Sequence, residues 1–213
     1  MAFITVANNR LNSKRSILVR NRTRLGRLLF LVILPILLFF HHGWPEESYL
    51  DFSLDSIGYA LVIAGVFVRL WCTLYIGGRK DSELQTSGPY SIVRHPLYFG
   101  SLLIGLGISS ASENPIILAA VTVYFFIQYT ATIRHEESAL TGIFGDAYTE
   151  YKQKVPCLIP KMMAFNFSPP ETINLRPLQR EVIRGALALS LLPLLNLIAL
   201  LHERGVLPFI KFF

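Results

Sequence analysis

The chain has 213 residues, 52% of them hydrophobic and only 16% charged, with a formal net charge of +6. A mean hydropathy of +0.45 excludes an ordinary water-soluble domain and makes lipid the expected solvent. Two cysteines, Cys72 inside an apolar run and Cys157 beside Pro156, exclude a disulfide framework.

The N-terminal arm, residues 1–24, is basic. Arg10, Lys14, Arg15, Arg20, Arg22, Arg24 and Arg27 come before or at the start of the first apolar run with no acidic residue among them. No small-residue cleavage site follows that run, so the arm is read as preceding an anchor helix and not as a removable signal. Each such residue gains on the order of 1 kcal/mol near an anionic leaflet, which makes lipid headgroups the expected partner and not nucleic acid.

Five apolar runs follow, Leu25 to Phe40, Ile57 to Ile76, Leu97 to Ala111, Pro115 to Ile133 and Val182 to Leu201. A bilayer-crossing helix needs about 20 apolar residues, so the second, fourth and fifth qualify and the first and third are short. The expected fold is all-α, a single membrane domain over residues 1–213 built as an integral bundle of about five transmembrane helices. Pro35 and Pro193 fall inside the first and last runs, where kinks are expected because neighbouring helices re-satisfy the freed carbonyls.

Loop charge sets the expected sidedness. Glu46, Glu47, Asp51 and Asp55 follow the first run, whereas Arg79, Lys80 and Arg94 follow the second. Only Glu113 lies in the turn after the third run, and Arg134, Lys152, Lys154, Lys161, Arg176, Arg180 and Arg184 lie between the fourth and fifth. Positive residues stay inside, so the N-terminus is expected in the cytoplasm and the tail with Arg204 and Lys211 outside. Both conspicuous polar stretches then face the cytoplasm.

The first is SGPYSIVRHPLYFG, Ser87 to Gly100. Gly88-Pro89 signals a turn and Pro96 suits the first position of a helix, which puts His95 at its cap. Ser101, Gly105 and Ser109 form a small-residue face open to close approach by a helix or ligand. His41 and His42, beside Trp44, read as headgroup contacts at the opposite interface. The second stretch is Thr130 to Pro160, TATIRHEESALTGIFGDAYTEYKQKVPCLIP. On a continuing helix Arg134 and Glu137 share a face, and adjacent Glu136 and Glu137 at a lipid boundary need pairing, hydration or use. Tyr148 and Tyr151, three apart, suit an amphipathic segment along the membrane surface. His95, His135, Glu136 and Glu137 have ligating side chains, but no two histidines stand at metal-helix spacing, so no metal is expected.

Together the pieces GPYSIVRHPLYFG at 88 to 100, an apolar hairpin, and EESALTGIFGDAYTEYKQKVPCLIP at 136 to 160 resemble the isoprenylcysteine carboxyl methyltransferase family, and more distantly the phospholipid N-methyltransferases. The resemblance spans about a third of the chain, from Ser87 to Pro160. It implies S-adenosylmethionine in a cytoplasmic-facing pocket. Arg94, His95, Pro96, Tyr98 and Gly100 would line that pocket, with Glu136, Glu137, Tyr148 and Tyr151 closing it. Family members often carry an arginine where this chain has Thr132, with Arg134 here lying nearer the glutamates. Only two spans precede the motif, fewer than in the eukaryotic enzymes.

Methyl transfer needs an in-line nucleophile, and fixing that geometry supplies roughly 7 to 11 kcal/mol of the barrier. A carboxylate acceptor is already nucleophilic and needs only orienting, by Arg134 first and Arg94 second. An amine acceptor must lose a proton, which makes Glu137 the candidate base. A lipid-like or prenylated acceptor is expected to arrive laterally from the membrane, with Arg69 inside the second run marking the boundary of that opening. Alternatives are a phospholipid or amine N-methyltransferase, a non-catalytic lipid-binding relative, and a sterol-reductase-like enzyme using a nicotinamide cofactor, although no dinucleotide glycine fingerprint is present.

Overall fold

The computed structural model describes residues 21–42, 49–76, 83–161, 165–170, 173–207 and 210–212. Most of the basic arm lies outside them, as do Trp44, Arg79 and Lys80 and the side chains of Arg22, His41 and His42. Among the described residues, helices α1 (Arg22–Phe39), α2 (Tyr49–Ile76), α3 (Pro89–Ile92), α4 (Pro96–Ser110), α5 (Pro115–Phe144), α6 (Asp146–Lys154) and α7 (Leu175–Glu203) make an all-helical bundle. Two three-residue strands accompany it, β1 (Phe40–His42) and β2 (Ile210–Phe212), paired in parallel.

Segments Phe52–Ile76, Pro115–Phe144 and Leu175–Glu203 are long and apolar enough to cross a membrane. Helix α4 has 15 residues, about 22 Å at 1.5 Å per residue, which is short of a hydrocarbon core of about 30 Å. Helix α1 has 18 residues and three arginines in its first six. Three helices reach beyond their apolar runs. Helix α2 takes in Asp55, expected in a loop; α5 continues past Ile133 through both glutamates; and α7 begins at Leu175, before the run that starts at Val182. Hydrogen bonding explains the extensions, since backbone groups leaving the apolar layer are satisfied by one more helical turn as readily as by water. Pro35 and Pro193 lie within helices that run on through them.

Asn114 starts α5 by accepting hydrogen bonds from the Ile116 and Ile117 amides at 3.0 and 3.3 Å, with Pro115 at the first helical position. Helix α5 therefore turns back against α4, and the pair forms the hairpin that carries both polar stretches to one end.

Helices α2 and α4 pack antiparallel at their closest approach. A Cβ on Gly58 would stand 2.8 Å from the Gly107 carbonyl oxygen, and one on Gly65 2.7 Å from that of Gly100. Glycines seven apart on each helix thus face one another, and backbone meets backbone, which is how helices associate in lipid. This is not the small-residue face expected from Ser101, Gly105 and Ser109. Gly105 meets Val121 of α5, Ser109 donates to the Gly105 carbonyl at 2.8 Å, and Ser101 turns to Arg69.

Helix α7 runs antiparallel to α2, with Gly185 against Val66 and Leu192 and Leu195 in a cluster with Val62 and Ala111. At the far end buried His202 shares a hydrogen bond of 3.0 Å with the Leu38 carbonyl, beside the β1–β2 pair. The C-terminal segment, without a motif in the sequence, is a helix that closes the bundle.

Gly107→Val should force α2 and α4 apart and destabilise the protein by about 1–3 kcal/mol. Gly142→Ala, where a Cβ meets nothing within 4 Å, should be neutral or stabilising by up to about 1 kcal/mol. Thermal unfolding in one detergent compares the two.

Candidate functional site

The turn before α4 is built by Gly88 and Pro89. Gly88 has φ +60°, and a Cβ there would lie 2.4 Å from the Tyr75 ring, so only glycine fits. The chain then passes through buried α3 to His95, which caps α4 by its backbone position but makes no side-chain cap. Its imidazole turns instead toward α5.

Backbone hydrogen bonds lace this stretch to the segment after α6. The Arg94 amide donates to the Pro156 carbonyl at 2.8 Å, His95 to Cys157 at 3.2 Å, and Lys161 back to Ile92 at 2.9 Å. Tyr151 adds its hydroxyl to the Tyr90 carbonyl at 2.6 Å, and Asn166 donates to the Ser91 hydroxyl at 3.0 Å. The sequence VPCLIP is thereby a bracket that holds Arg94 and His95 in place.

Glu137 stands at the centre. Its Oε1 is 2.8 Å from the Arg94 guanidinium and 3.4 Å from His95 Nε2, and its Oε2 is 2.6 Å from Lys152 Nζ. His95 Nδ1 faces Glu136 at 3.8 Å, so the ring lies between two carboxylates. Arg94 also donates to the Lys152 and Val155 carbonyls at 2.6 and 3.0 Å, satisfying the end of α6. Burial pushes the His95 pKa below its usual value despite the neighbouring carboxylates, with Arg94 acting in the same direction. The ring is therefore neutral at pH 7.

Beside this cluster is a cleft between the α4 start, α5 and α6. Arg94, His95, Pro96, Tyr98, Glu136, Tyr148 and Tyr151 all line it. Tyr98 stacks on His95 with ring centroids 5.6 Å apart and meets the edge of Tyr129 at 4.9 Å. The cleft has an apolar portion, from Leu97, Ala139 and Leu140. Burial raises the Tyr148 hydroxyl to a pKa of about 12 and that of Tyr151 higher, so both remain protonated donors.

Three residues named from the sequence are placed otherwise. Glu137 lies behind the lining, held by its three partners. Gly100 faces Gly65 and the Arg69 side chain, at the α2–α4 contact. Arg134 is exposed on another face of α5, two residues before Glu136, and does not line the cleft. Arg69 is bound into the bundle: its Nε donates to Glu181 at 2.5 Å and its NH1 to the Ser101 hydroxyl at 2.5 Å, while Arg184 reaches the other Glu181 oxygen at 3.2 Å.

Sequence reasoning missed Tyr90, Gln85, Lys152 and Cys157. Tyr90 lines the cleft, and its hydroxyl and that of Tyr148 are buried without a hydrogen-bond partner, as is Arg94 Nε. Residue exposures are 6% for Tyr90 and 1% for Tyr148, and an orphaned buried hydroxyl costs roughly 1–3 kcal/mol. Both hydroxyls belong to residues that line the cleft but are themselves covered, so a side-chain adjustment would bring them to a ligand that accepts hydrogen bonds, as the ring nitrogens and ribose oxygens of a nucleoside do. The position of Tyr90 inside the GPY turn was the available signal.

The family model described as phospholipid methyltransferase matches residues 54–147. The cobalt-zinc-cadmium resistance protein CzcN of Cupriavidus metallidurans is 34% identical over 192 residues, covering 89% of this chain and 87% of its own. The nickel-cobalt-cadmium resistance protein NccN of Alcaligenes xylosoxydans xylosoxydans is 30% identical over 91% of this chain and 90% of its own. Protein-S-isoprenylcysteine O-methyltransferase of Xenopus laevis is 32% identical over 54% of this chain and 44% of its own length. No solved structure matches.

Arg69→Leu should destabilise the protein by about 3–5 kcal/mol, less whatever Arg184 recovers, because it leaves the Glu181 carboxylate short of its closest partner. Adding Glu181→Leu should restore most of that loss, and a double-mutant cycle on detergent unfolding midpoints reads the coupling.

Proposed function

Because the chain belongs to the isoprenylcysteine carboxyl methyltransferase family of integral membrane methyltransferases, we propose that it transfers a methyl group from S-adenosylmethionine to the carboxylate of a prenylated or similarly lipidic acceptor. The observation that carries this reading is the cleft where both polar stretches meet, lined by Tyr90 and Tyr148, whose buried hydroxyls have no partner. When bound, S-adenosylmethionine supplies an electrophilic methyl on a sulfonium centre.

The chain's residues supply binding and position. Tyr90 and Tyr148 donate to acceptor atoms of the nucleoside, and Tyr98, fixed by its stack on His95 and its edge contact with Tyr129, presents an aromatic edge or face to the cationic end. Glu136 adds negative charge at the same mouth. Leu97, Ala139 and Leu140 make an apolar wall for the acceptor's hydrocarbon, which arrives laterally from the lipid.

Carboxyl methylation suits the cluster better than amine methylation. A base must be free to take a proton, and Glu137 is already engaged by Arg94, Lys152 and His95. A carboxylate acceptor needs no base. Arg94 lines the cleft with both amino groups held by Glu137 and the α6 carbonyls, so its unpartnered Nε takes the orienting role, and Arg134 on its exposed face does not. Glu137 then acts as the anion that holds Arg94 and His95. The name of the Xenopus relative, an O-methyltransferase of protein S-isoprenylcysteine, agrees with that chemistry. The loop charges support a cytoplasmic position for this end of the bundle, where a water-soluble donor enters.

Transfer of labelled methyl from S-adenosylmethionine to S-farnesylcysteine by the detergent-solubilised chain should give a base-labile ester. Arg94→Ala should lower kcat/KM at least about 100-fold and Arg134→Ala less than about threefold. Label in phosphatidylethanolamine as a base-stable product would replace carboxyl by amine methylation. Tyr90→Phe and Tyr148→Phe should each weaken donor binding about five- to tenfold by calorimetry, since each hydrogen bond contributes about 1–1.5 kcal/mol.

A further inference from the structure

The bracket that fixes His95 also delivers a thiol. His95, Glu137 and Cys157 each turn one ligating atom inward, all within 4.8 Å of one another. Cys157 comes from 20 residues beyond Glu137 and 62 beyond His95, so nothing local in the sequence joins the three; the His95 amide bond to the Cys157 carbonyl at 3.2 Å does. We propose that this trio is a binding site for a soft divalent transition-metal ion, of the zinc, cobalt or cadmium kind, and that a bound ion draws His95 away from the cleft it lines.

The donor set carries the choice of ion. One imidazole, one carboxylate and one thiolate suit borderline and soft ions, whereas magnesium and calcium take oxygen ligands only. Bonds of about 2.0–2.3 Å in a tetrahedron leave ligand atoms roughly 3.3–3.8 Å apart, so the three need to close by about 1 Å. His95 Nε2 and Glu137 Oε1 already stand 3.4 Å apart.

The surroundings match as well. With Nε2 turned to the metal, Nδ1 carries the proton and faces Glu136 at 3.8 Å, so a closure of under about 1 Å would make the carboxylate–histidine hydrogen bond that orients metal-bound imidazoles. The carboxylate and thiolate together neutralise a divalent ion. Arg94 and Lys152 oppose it, but neither is stranded by sharing Glu137. Arg94 keeps the Lys152 and Val155 carbonyls, and Lys152 is half exposed to water. Three protein ligands leave one position for water, the pattern of an exchangeable site.

The site itself stands apart from the proposed methyl transfer; only the withdrawal of His95 from the cleft rests on that reading. Cobalt(II) chloride added to the full-length, reduced protein in detergent should produce a saturable near-ultraviolet thiolate-to-cobalt band. The band should persist in Cys72→Ser, whose sulfur is buried in α2, and vanish in Cys157→Ser. His95→Ala and Glu137→Gln should each raise the half-saturating cobalt concentration at least about tenfold. Absence of the band in folded wild type, or its survival in Cys157→Ser, overturns the site. With the band present, donor affinity by calorimetry should fall at least about threefold and recover on chelation. An unchanged donor affinity overturns the link to the cleft and leaves the spectrum to judge the site.

Discussion

Glu137 is the anion on which the site depends. It lies in α5 just past the apolar run, at the boundary where a lone carboxylate is expensive, and it is held by one guanidinium, one ammonium and one imidazole. Those partners come from two places outside α5: Arg94 and His95 from the lead into α4, Lys152 from α6. A charge that has to be compensated thus ties three separate backbone segments to the same point. The same requirement explains why Arg94 spends its other amino group on the carbonyls that finish α6. Removing Glu137 would leave two cations facing each other at the lipid boundary.

The bundle below is arranged to hold that point still. Backbone contact at Gly58–Gly107 and Gly65–Gly100 fixes the depth of α4 relative to α2, and hence the height of His95 at its start. Arg69 and Glu181 then tie α7 to the pair one layer deeper. This buried ion pair is the reason Arg69 sits inside an apolar helix. The aromatic run His95, Tyr98, Tyr129 and Phe125 continues the rigidity along the α4–α5 seam, with Phe125 and Tyr129 stacked at 4.0 Å. A short α4 is compatible with this arrangement because it is flanked by two helices long enough to cross a membrane by themselves.

A cleft between two polar stretches, with apolar walls on one side, meets the physical demands of joining a water-soluble donor to a lipid-borne acceptor. Its lining includes Tyr90 and Tyr148, whose buried hydroxyls have no partner, and the apolar Leu97 and Leu140. Catalysis of this kind rests on placement, so a rigid frame is more useful than a strong base.

The sequence by itself determined the solvent, the apolar helices, and the fact that RHP and the glutamate pair belong together. Hydropathy and helix-start chemistry are local, and a run such as Pro115 to Ile133 or a cap such as His95-Pro96 is readable from neighbours alone. Which side chains meet was not local. Arg134 ranked ahead of Arg94 in the sequence, and the rotation of α5 leaves Arg134 exposed while Arg94 lines the cleft. Gly100 looked like a pocket glycine and proved a packing glycine, because a seven-residue spacing is informative only with the opposite helix in view. The expected small-residue stripe failed for that reason. Tyr90, Lys152 and Cys157 reach the site through hydrogen bonds to residues about 60 positions away, and no pattern along one stretch of chain encodes such a pairing. Tertiary structure decided them because a charge or an orphaned hydroxyl is satisfied by whatever is near in space.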